Sequence, residues 1–215
     1  MGLFITFEGI EGCGKTTQIK MGGKYLNSKN IPFIITEEPG GVSLGLAIRE
    51  ILLNESSFSI CAESEVFLFS AARAQHVKDI ILPALKTNKW VLCDRFSDAT
   101  IAYQGFGRGL DIAFIRQINT ISAGHLKPDM TFLFDTPVEI GLKRAVERIS
   151  QIKDSSKEDR FEREELNFHK KVREGYLSLA RSEPERFRII DGSKDISTVH
   201  REVCQQIATL ISGCR

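Results

Sequence analysis

Several signals that would send a sequence toward other classes are missing here. The 215 residues hold five cysteines (Cys13, Cys61, Cys93, Cys204 and Cys214), scattered and without a Cys-x-x-Cys pair. Neither a disulfide framework nor a zinc site is expected from that spacing, which suits a reducing compartment. Charge of one sign is not in excess either. Lys and Arg number 29 against 28 Asp and Glu, a formal net charge of +1. No global field recruits nucleic acid or a membrane surface, so any phosphate must be held by locally placed groups. No apolar stretch is long enough to span a bilayer. The opening Met1–Glu8 has no basic flank or small-residue cleavage site, and Gly2 precedes a segment that reads as a buried strand more than as an acylation signal. A cytoplasmic location is expected. There is no internal repeat, no low-complexity tract, no Asn-Lys-x-Asp guanine reader and no strand-terminal Asp-x-x-Gly. The four histidines are isolated in sequence and suggest no triad or metal cluster.

What is present alternates. Short apolar runs at Leu3–Phe7, Pro32–Thr36, Trp90–Asp94, Met130–Phe134 and Phe187–Ile190 predict strands, since buried parallel strands are short and almost continuously apolar. Between them, helical periodicity predicts Lys15–Ser28, Leu44–Leu53, Ala62–Thr87, Asp111–Ala123, Val138–Ile149, Arg163–Ser182 and Ser197–Ser212. The order implies one α/β domain over 1–215, a parallel five-stranded sheet flanked by helices on both faces. Residues just beyond each strand are then the candidates for chemistry. Ser150–Arg160 is polar and charged, and is either a connector or a mobile lid of about 149–160.

Gly9-Ile10-Glu11-Gly12-Cys13-Gly14-Lys15-Thr16 matches G-x-x-x-x-G-K-[ST] directly after a strand and at the start of a helix. Glycines let backbone N–H groups wrap a phosphate, and the helix N-terminus adds partial positive charge. Lys15 is expected on the β- and γ-phosphates and Thr16 on Mg²⁺. The candidates for ATP are Gly9, Glu11, Gly12, Cys13, Gly14, Lys15, Thr16 and Thr17.

Three further clusters follow strands or sit on adjoining helices. Glu38 and Pro39 follow the second strand, with Arg49 on the next helix as a candidate anion ligand or a solvated charge. Phe69 and Arg73 are four apart and share a helix face, where an aromatic beside a cation suits a flat base with carbonyls. Asp94 and Arg95 end the third strand; charges at a buried strand's mouth need partners. Asp94 is a candidate for the metal's water shell or for orienting Arg95. Arg95 is a candidate for an acceptor phosphate, and a loop-stapling Asp–Arg pair is the plainer alternative.

Taken in order, Phe-Glu-Gly-x-Glu-Gly-x-Gly-Lys-Thr-Thr from Phe7, Glu38-Pro39-Gly40-Gly41, Phe69-x-Ala-Ala-Arg-x-x-His76, Asp94-Arg95-Phe96 and Ala102-Tyr103-Gln104-Gly105-x-x-Arg108-Gly109 resemble the bacterial thymidylate kinases. The likeness continues through Leu133–Pro137, Asp159–Glu162 and Val172–Tyr176. It implies a P-loop nucleoside-monophosphate kinase that moves the γ-phosphoryl of ATP to dTMP with Mg²⁺, and a homodimer. It implies Phe69 stacking on thymine, Arg73 on its carbonyl edge, Thr100 and Gln104 facing the base, and Tyr103 beside the deoxyribose. Arg49 and Arg95 would hold the dTMP phosphate, Glu8 the sugar or the acceptor's position, and Glu38 the phosphate and metal region. Catalytic cations would come from the lid, where Arg144, Arg148, Lys153, Lys157 and Arg160 compete and the flanking Arg148 and Arg160 are preferred. Catalytic candidates are thus Lys15, Arg95, Glu8, Asp94, Arg148 and Arg160, and metal candidates Thr16 and Asp94. The sequence departs from the pattern at Glu37, where an Arg is usual, and at Val42, where a Thr is common. Another small P-loop kinase, or a nucleotide-dependent binding module, are the rival readings.

Overall fold

A computed structural model describes residues 2–53, 59–151 and 160–213. Five strands, β1 (Phe4–Glu8), β2 (Phe33–Glu37), β3 (Trp90–Asp94), β4 (Met130–Asp135) and β5 (Phe187–Asp191), form one sheet in the order β2-β3-β1-β4-β5. Every pairing is parallel, with Ile5 opposite Leu92 and Met130 across the central strand. Both edges of β1 are occupied, so its five residues Phe4–Glu8 are all buried. That is why the strand reads as continuous and not alternating.

The two faces separate residue by residue. Phe7 and Leu92 meet α1 (Lys15–Ser28) and Ile207 of α9 (Ile196–Gly213) around Gly22. Phe4, Val91 and Cys93 point the other way, against Val77, Ile81 and Phe96. Here the chain runs through α3 (Ala62–His76), a π-helical segment Val77–Ile81 and α4 (Leu82–Lys86). The continuous helix predicted over Ala62–Thr87 is thus present, with one wider π-helical stretch inside it. α2 (Ser43–Leu53) packs on α3.

One helical stretch is absent from the sequence expectation. Ser97–Thr100 forms the short α5 and Ile101–Gly107 a second π-helical segment. Arg108 N–H donates to the Tyr103 carbonyl five residues back at 2.9 Å. Gly105 and Gly107 are poor helix formers, which hides this segment from periodicity. Tertiary packing holds it, because it lies against α8 (Leu166–Ser182) and α6 (Ile112–Ser122). α6 is capped by the Asp111 carboxylate, which accepts from Phe114 N–H at 2.7 Å. α7 (Val138–Ser150) leads into the expected lid, of which 152–159, with Lys153 and Lys157, lies outside the described residues.

Candidate active site

The strand order reverses at β1, between β3 and β4, so a crevice opens beyond its carboxyl end. The phosphate loop fills that point. Gly9 and Gly12 take φ of 137° and 66°. A Cβ on Gly12 would lie 2.0 Å from the Gly141 carbonyl of α7, so both conformation and space demand glycine. Lys15 is buried and its Nζ donates to the Gly9 and Ile10 carbonyls at 2.9 and 2.8 Å. Thr16 Oγ1 donates to Asp94 Oδ2 at 2.9 Å. Both are hard oxygen donors, a set that suits Mg²⁺, which takes one or two protein oxygens and completes its shell with water and phosphate. Among the described residues no cluster of three or more His, Cys, Asp or Glu could hold a metal ion.

Two clefts adjoin the loop. The first has about 990 Å³ of open space, and Glu38, Pro39, Arg49, Phe69, Arg73, Arg95, Thr100, Tyr103 and Gln104 all line it. The second runs along the outer side of the loop past Cys13, Gly14 and Thr17 to Arg144, Gly192 and Lys194. Gly12, Lys15, Thr16 and Arg148 border both. Gly9 and Glu8 border neither.

Arg73 is held on three sides in the first cleft. Its Nε donates to Glu38 Oε2 at 2.8 Å, one terminal nitrogen to Asn119 Oδ1 at 2.7 Å, the other to Thr100 Oγ1 at 2.9 Å. Three of the five N–H groups of a guanidinium are engaged. Glu38 also takes His76 Nδ1 at 3.0 Å. Glu38 therefore orients Arg73 in this structure.

Arg95 is held by four groups: the Gly9 carbonyl at 2.9 Å and Tyr176 Oη, Glu11 Oε1 and Tyr103 Oη, each at 3.0 Å. The plainer expectation of an Asp94–Arg95 staple is not what forms, since Asp94 goes to Thr16. Burial would raise the Glu11 carboxyl, but His169, Arg95, Lys15 and Tyr103 more than offset that and hold it down at about 2. Beneath the floor, Glu8 is fully buried and accepts from Phe96 N–H at 2.7 Å and Tyr176 Oη at 2.7 Å. Burial, with the neighbouring Asp98 adding to it, pushes Glu8 up to about 8 against the pull of Arg95, Tyr176 and the Phe96 amide.

The residue set, the sheet order and the paired clefts can be set beside known proteins. A family profile described as thymidylate kinase matches residues 7–203. A thymidylate kinase of Syntrophus aciditrophicus (strain SB) is 59% identical over 210 residues, covering 98% of this chain and 96% of that one. One from Geotalea uraniireducens (strain Rf4) is 55% identical over 214 residues, 99% and 100% of the two chains. The crystal structure of thymidylate kinase from Ehrlichia chaffeensis superposes with a TM-score of 0.74 at 34% identity, over 96% of this chain and 98% of that one.

The chain belongs to the thymidylate kinase family. The reaction of thymidylate kinases, nucleoside-monophosphate phosphotransferases, converts dTMP to dTDP.

In this member of the family the structure gives contacts to residues to which the sequence patterns assign no role. Tyr176 joins Glu8 to Arg95, and His169 lies fully buried with Nδ1 3.4 Å from Glu11 Oε2. Glu65, Arg108 and Asn119 support the cleft wall. Tyr176, His169 and Asn119 reach partners far away in the chain, and Glu65 reaches Gln104 across 39 positions, so the sequence does not show which groups they meet. Arg49 donates to Glu37 Oε2 at 3.0 Å and to the Pro39 carbonyl at 2.9 Å, so the unusual acid at Glu37 has a cation beside it. The two preferred lid cations diverge. Arg148 is half-exposed and 3.3 Å from Glu162, while Arg160 donates to the Leu52 carbonyl and to Glu65.

Proposed function

We propose that dTMP occupies the first cleft, ATP the second, and that the γ-phosphoryl passes between them over Lys15. The observation that carries this reading is the shared wall: both clefts are bordered by Gly12, Lys15, Thr16 and Arg148. Phosphoryl transfer asks a protein mainly for alignment and charge neutralisation. A dTMP phosphate oxygen, already ionised near neutral pH, attacks the γ-phosphorus while its bond to the β-bridging oxygen breaks, leaving ADP. No general base is required. Lys15 and the backbone N–H groups of Gly12–Thr17 hold the donor's phosphates. Arg95 holds the acceptor phosphate, with Arg49 beside it, and Tyr176, Tyr103 and Glu11 fix its guanidinium. Thr16 and Asp94 would hold Mg²⁺, which when bound supplies charge neutralisation for the ATP phosphates. Glu8 acts from below through Tyr176 and the Phe96 amide.

On the base side, Phe69 stacks on thymine, Arg73 offers its remaining N–H groups to the base carbonyl, and Thr100 and Gln104 complete the edge. Tyr103, immobilised against Arg95 with its ring 4.9 Å beneath the guanidinium carbon, leaves no room for a 2′-hydroxyl. Arg148, at the junction of both clefts, supplies transition-state charge; Arg160 serves the wall. The whole of 1–215 acts as one domain.

The test is ADP release from ATP–Mg²⁺ with dTMP, dUMP, dCMP, dGMP, dAMP and UMP offered separately. Strong turnover with dTMP, weak with dUMP and negligible turnover with the others is expected. Preference for another acceptor discards the base roles of Phe69, Arg73 and Gln104.

We also propose a cytoplasmic homodimer. Cys13, Cys61, Cys93 and Cys204 are free thiols, and no described helix is long and apolar enough to cross a membrane. Phe67 on α3 and Ile121 on α6 are 54% and 76% exposed on adjoining helices, an apolar face that suits a second copy of the chain. Sedimentation should give a dimer that Phe67→Glu converts to monomers; a monomeric wild type overturns the assignment.

A further inference from the structure

Glu65 is a fully buried carboxylate that the phosphoryl transfer itself does not use. It stands on α3 at four-residue intervals from Phe69 and Arg73, so the three share one stripe of the helix. Four donors converge on it. Gln104 Nε2 donates to Oε1 at 2.9 Å, Arg108 reaches Oε1 through Nε and Oε2 through a terminal nitrogen at 3.2 Å each, and Arg160 donates to Oε2.

A carboxylate flanked by two guanidinium groups only accepts hydrogen bonds. The Gln104 side chain must therefore turn its NH₂ toward Glu65, which leaves its carbonyl oxygen as the group for the cleft it lines. An amide is symmetric in shape and opposite in polarity at its two ends. Its orientation decides whether the base edge meets an acceptor or a donor.

We propose that Glu65 is a specificity-determining positioning residue, which locks the Gln104 amide with its oxygen toward the base and so selects pyrimidines carrying N–H at ring position 3. Thymine and uracil present that N–H together with a carbonyl at position 4, matching the Gln104 acceptor and the Arg73 donors. Cytosine presents a bare nitrogen at position 3 and an amino group at position 4. It would set acceptor against acceptor and donor against donor in a buried site, where unpaired polar groups are rejected strongly. The same carboxylate also holds Arg160. The inference rests on thymine lying beside Gln104 as proposed above.

In Glu65→Gln the new carbonyl will remain with Arg108 and Arg160, turning the new NH₂ toward Gln104, whose amide then flips. We expect the ratio of kcat/KM for dTMP over dCMP to fall by at least about 10-fold, with the loss for dTMP mainly in KM. Glu65→Asp, still acceptor-only, should keep the ratio within about threefold even where turnover drops. A purely structural role would slow both acceptors alike in both variants and leave the ratio unchanged, which overturns the proposal. In a Gln104→Leu background, Glu65→Gln should no longer alter the ratio. If Gln104→Leu by itself leaves the ratio unchanged, the base placement and the proposal both fall; if it lowers the ratio while Glu65→Gln does not, only the proposal falls. Should Glu65→Gln not fold, the wild-type Gln104 side-chain NH₂ resonance decides. It should stay protected from exchange as dTMP is titrated in, and a contact from that NH₂ to the thymine ring overturns the assignment.

Discussion

Arg95 has φ of 68°, a left-handed backbone for a residue with a Cβ, and such strain costs about 1–3 kcal/mol. Its N–H donates to the Phe7 carbonyl at 3.1 Å, and the side chain has four further partners, so the surroundings over-determine the conformation. Charge and strain can be separated by two substitutions. Arg95→Ala and Arg95→Gly should each lower kcat for dTMP by about 10³-fold, as expected when a transition-state cation is lost. The glycine variant should be the more stable by about 1 kcal/mol, since it adopts φ of 68° freely. Steady-state rates beside urea midpoints check both halves. At Glu8 the sign follows from burial. Its folded value of about 8 lies above the ordinary 4.5, so between those values the folded chain binds more protons than the unfolded one. Stability contributed by the neutral carboxyl is complete below about 4.5 and is lost as pH rises through 8. Glu8→Gln should flatten that decline in urea midpoints between pH 5 and 9; an unchanged slope would assign the decline elsewhere. The Glu11 carboxyl, held at about 2, contributes in the opposite sense, being lost only as pH falls toward 2.

At the scale of elements, the wall that carries Tyr103 and Gln104 is a π-helical segment clasped by α8. The fit is close at two points. A Cβ on Gly107 would lie 2.6 Å from the Phe168 ring, and one on Gly175 would lie 2.8 to 3.0 Å from three atoms of Phe106. Phe106 meets that Cβ with its own Cβ and the near side of its ring, which cannot swing clear cheaply. Gly175→Ala would improve the helix propensity of α8 by about 1 kcal/mol, but overpacking costs about 1–3 kcal/mol. A net loss of about 1–2 kcal/mol is expected in chemical denaturation, with KM for dTMP rising more than KM for ATP because Tyr103 and Tyr176 shift together. Equal changes in both constants would show that the segment is not tied to the acceptor cleft.

Across the whole molecule, the sheet is the common platform. Phe7 on β1 stacks against Phe132 and Phe134 on β4 at centroid distances of 5.3 and 5.9 Å, directly under the start of the phosphate loop. Phe132→Ala should cost about 3–5 kcal/mol through lost burial and the cavity left behind. For a chain of this size that lowers Tm by about 6–20 °C, measurable by calorimetry. Saturating ATP or dTMP should restore part of it, since anything that binds only the folded state shifts the midpoint upward.

The strands and the phosphate loop were legible in the chain because their signals are local. A buried parallel strand is almost continuously apolar, as Phe4–Phe7 is apart from Thr6, and a backbone that wraps phosphate needs Gly9, Gly12 and Gly14 at fixed spacing before Lys15. The candidates Phe69, Arg73, Arg95, Tyr103 and Gln104 could be named from motifs, and the fold brings all of them to one cleft. What holds them could not be named. The π-helical segment at Ile101–Gly107 runs against the propensity of its own glycines and exists because α8 and α6 enclose it. Tyr176 beside Glu8 and Glu65 behind Gln104 are pairings across 168 and 39 positions of chain. Local sequence fixes which side chains a helix presents on one face; only the closing of the sheet and its helices decides which buried donor meets which buried acceptor, because that pairing is enforced by the cost of leaving either one unsatisfied.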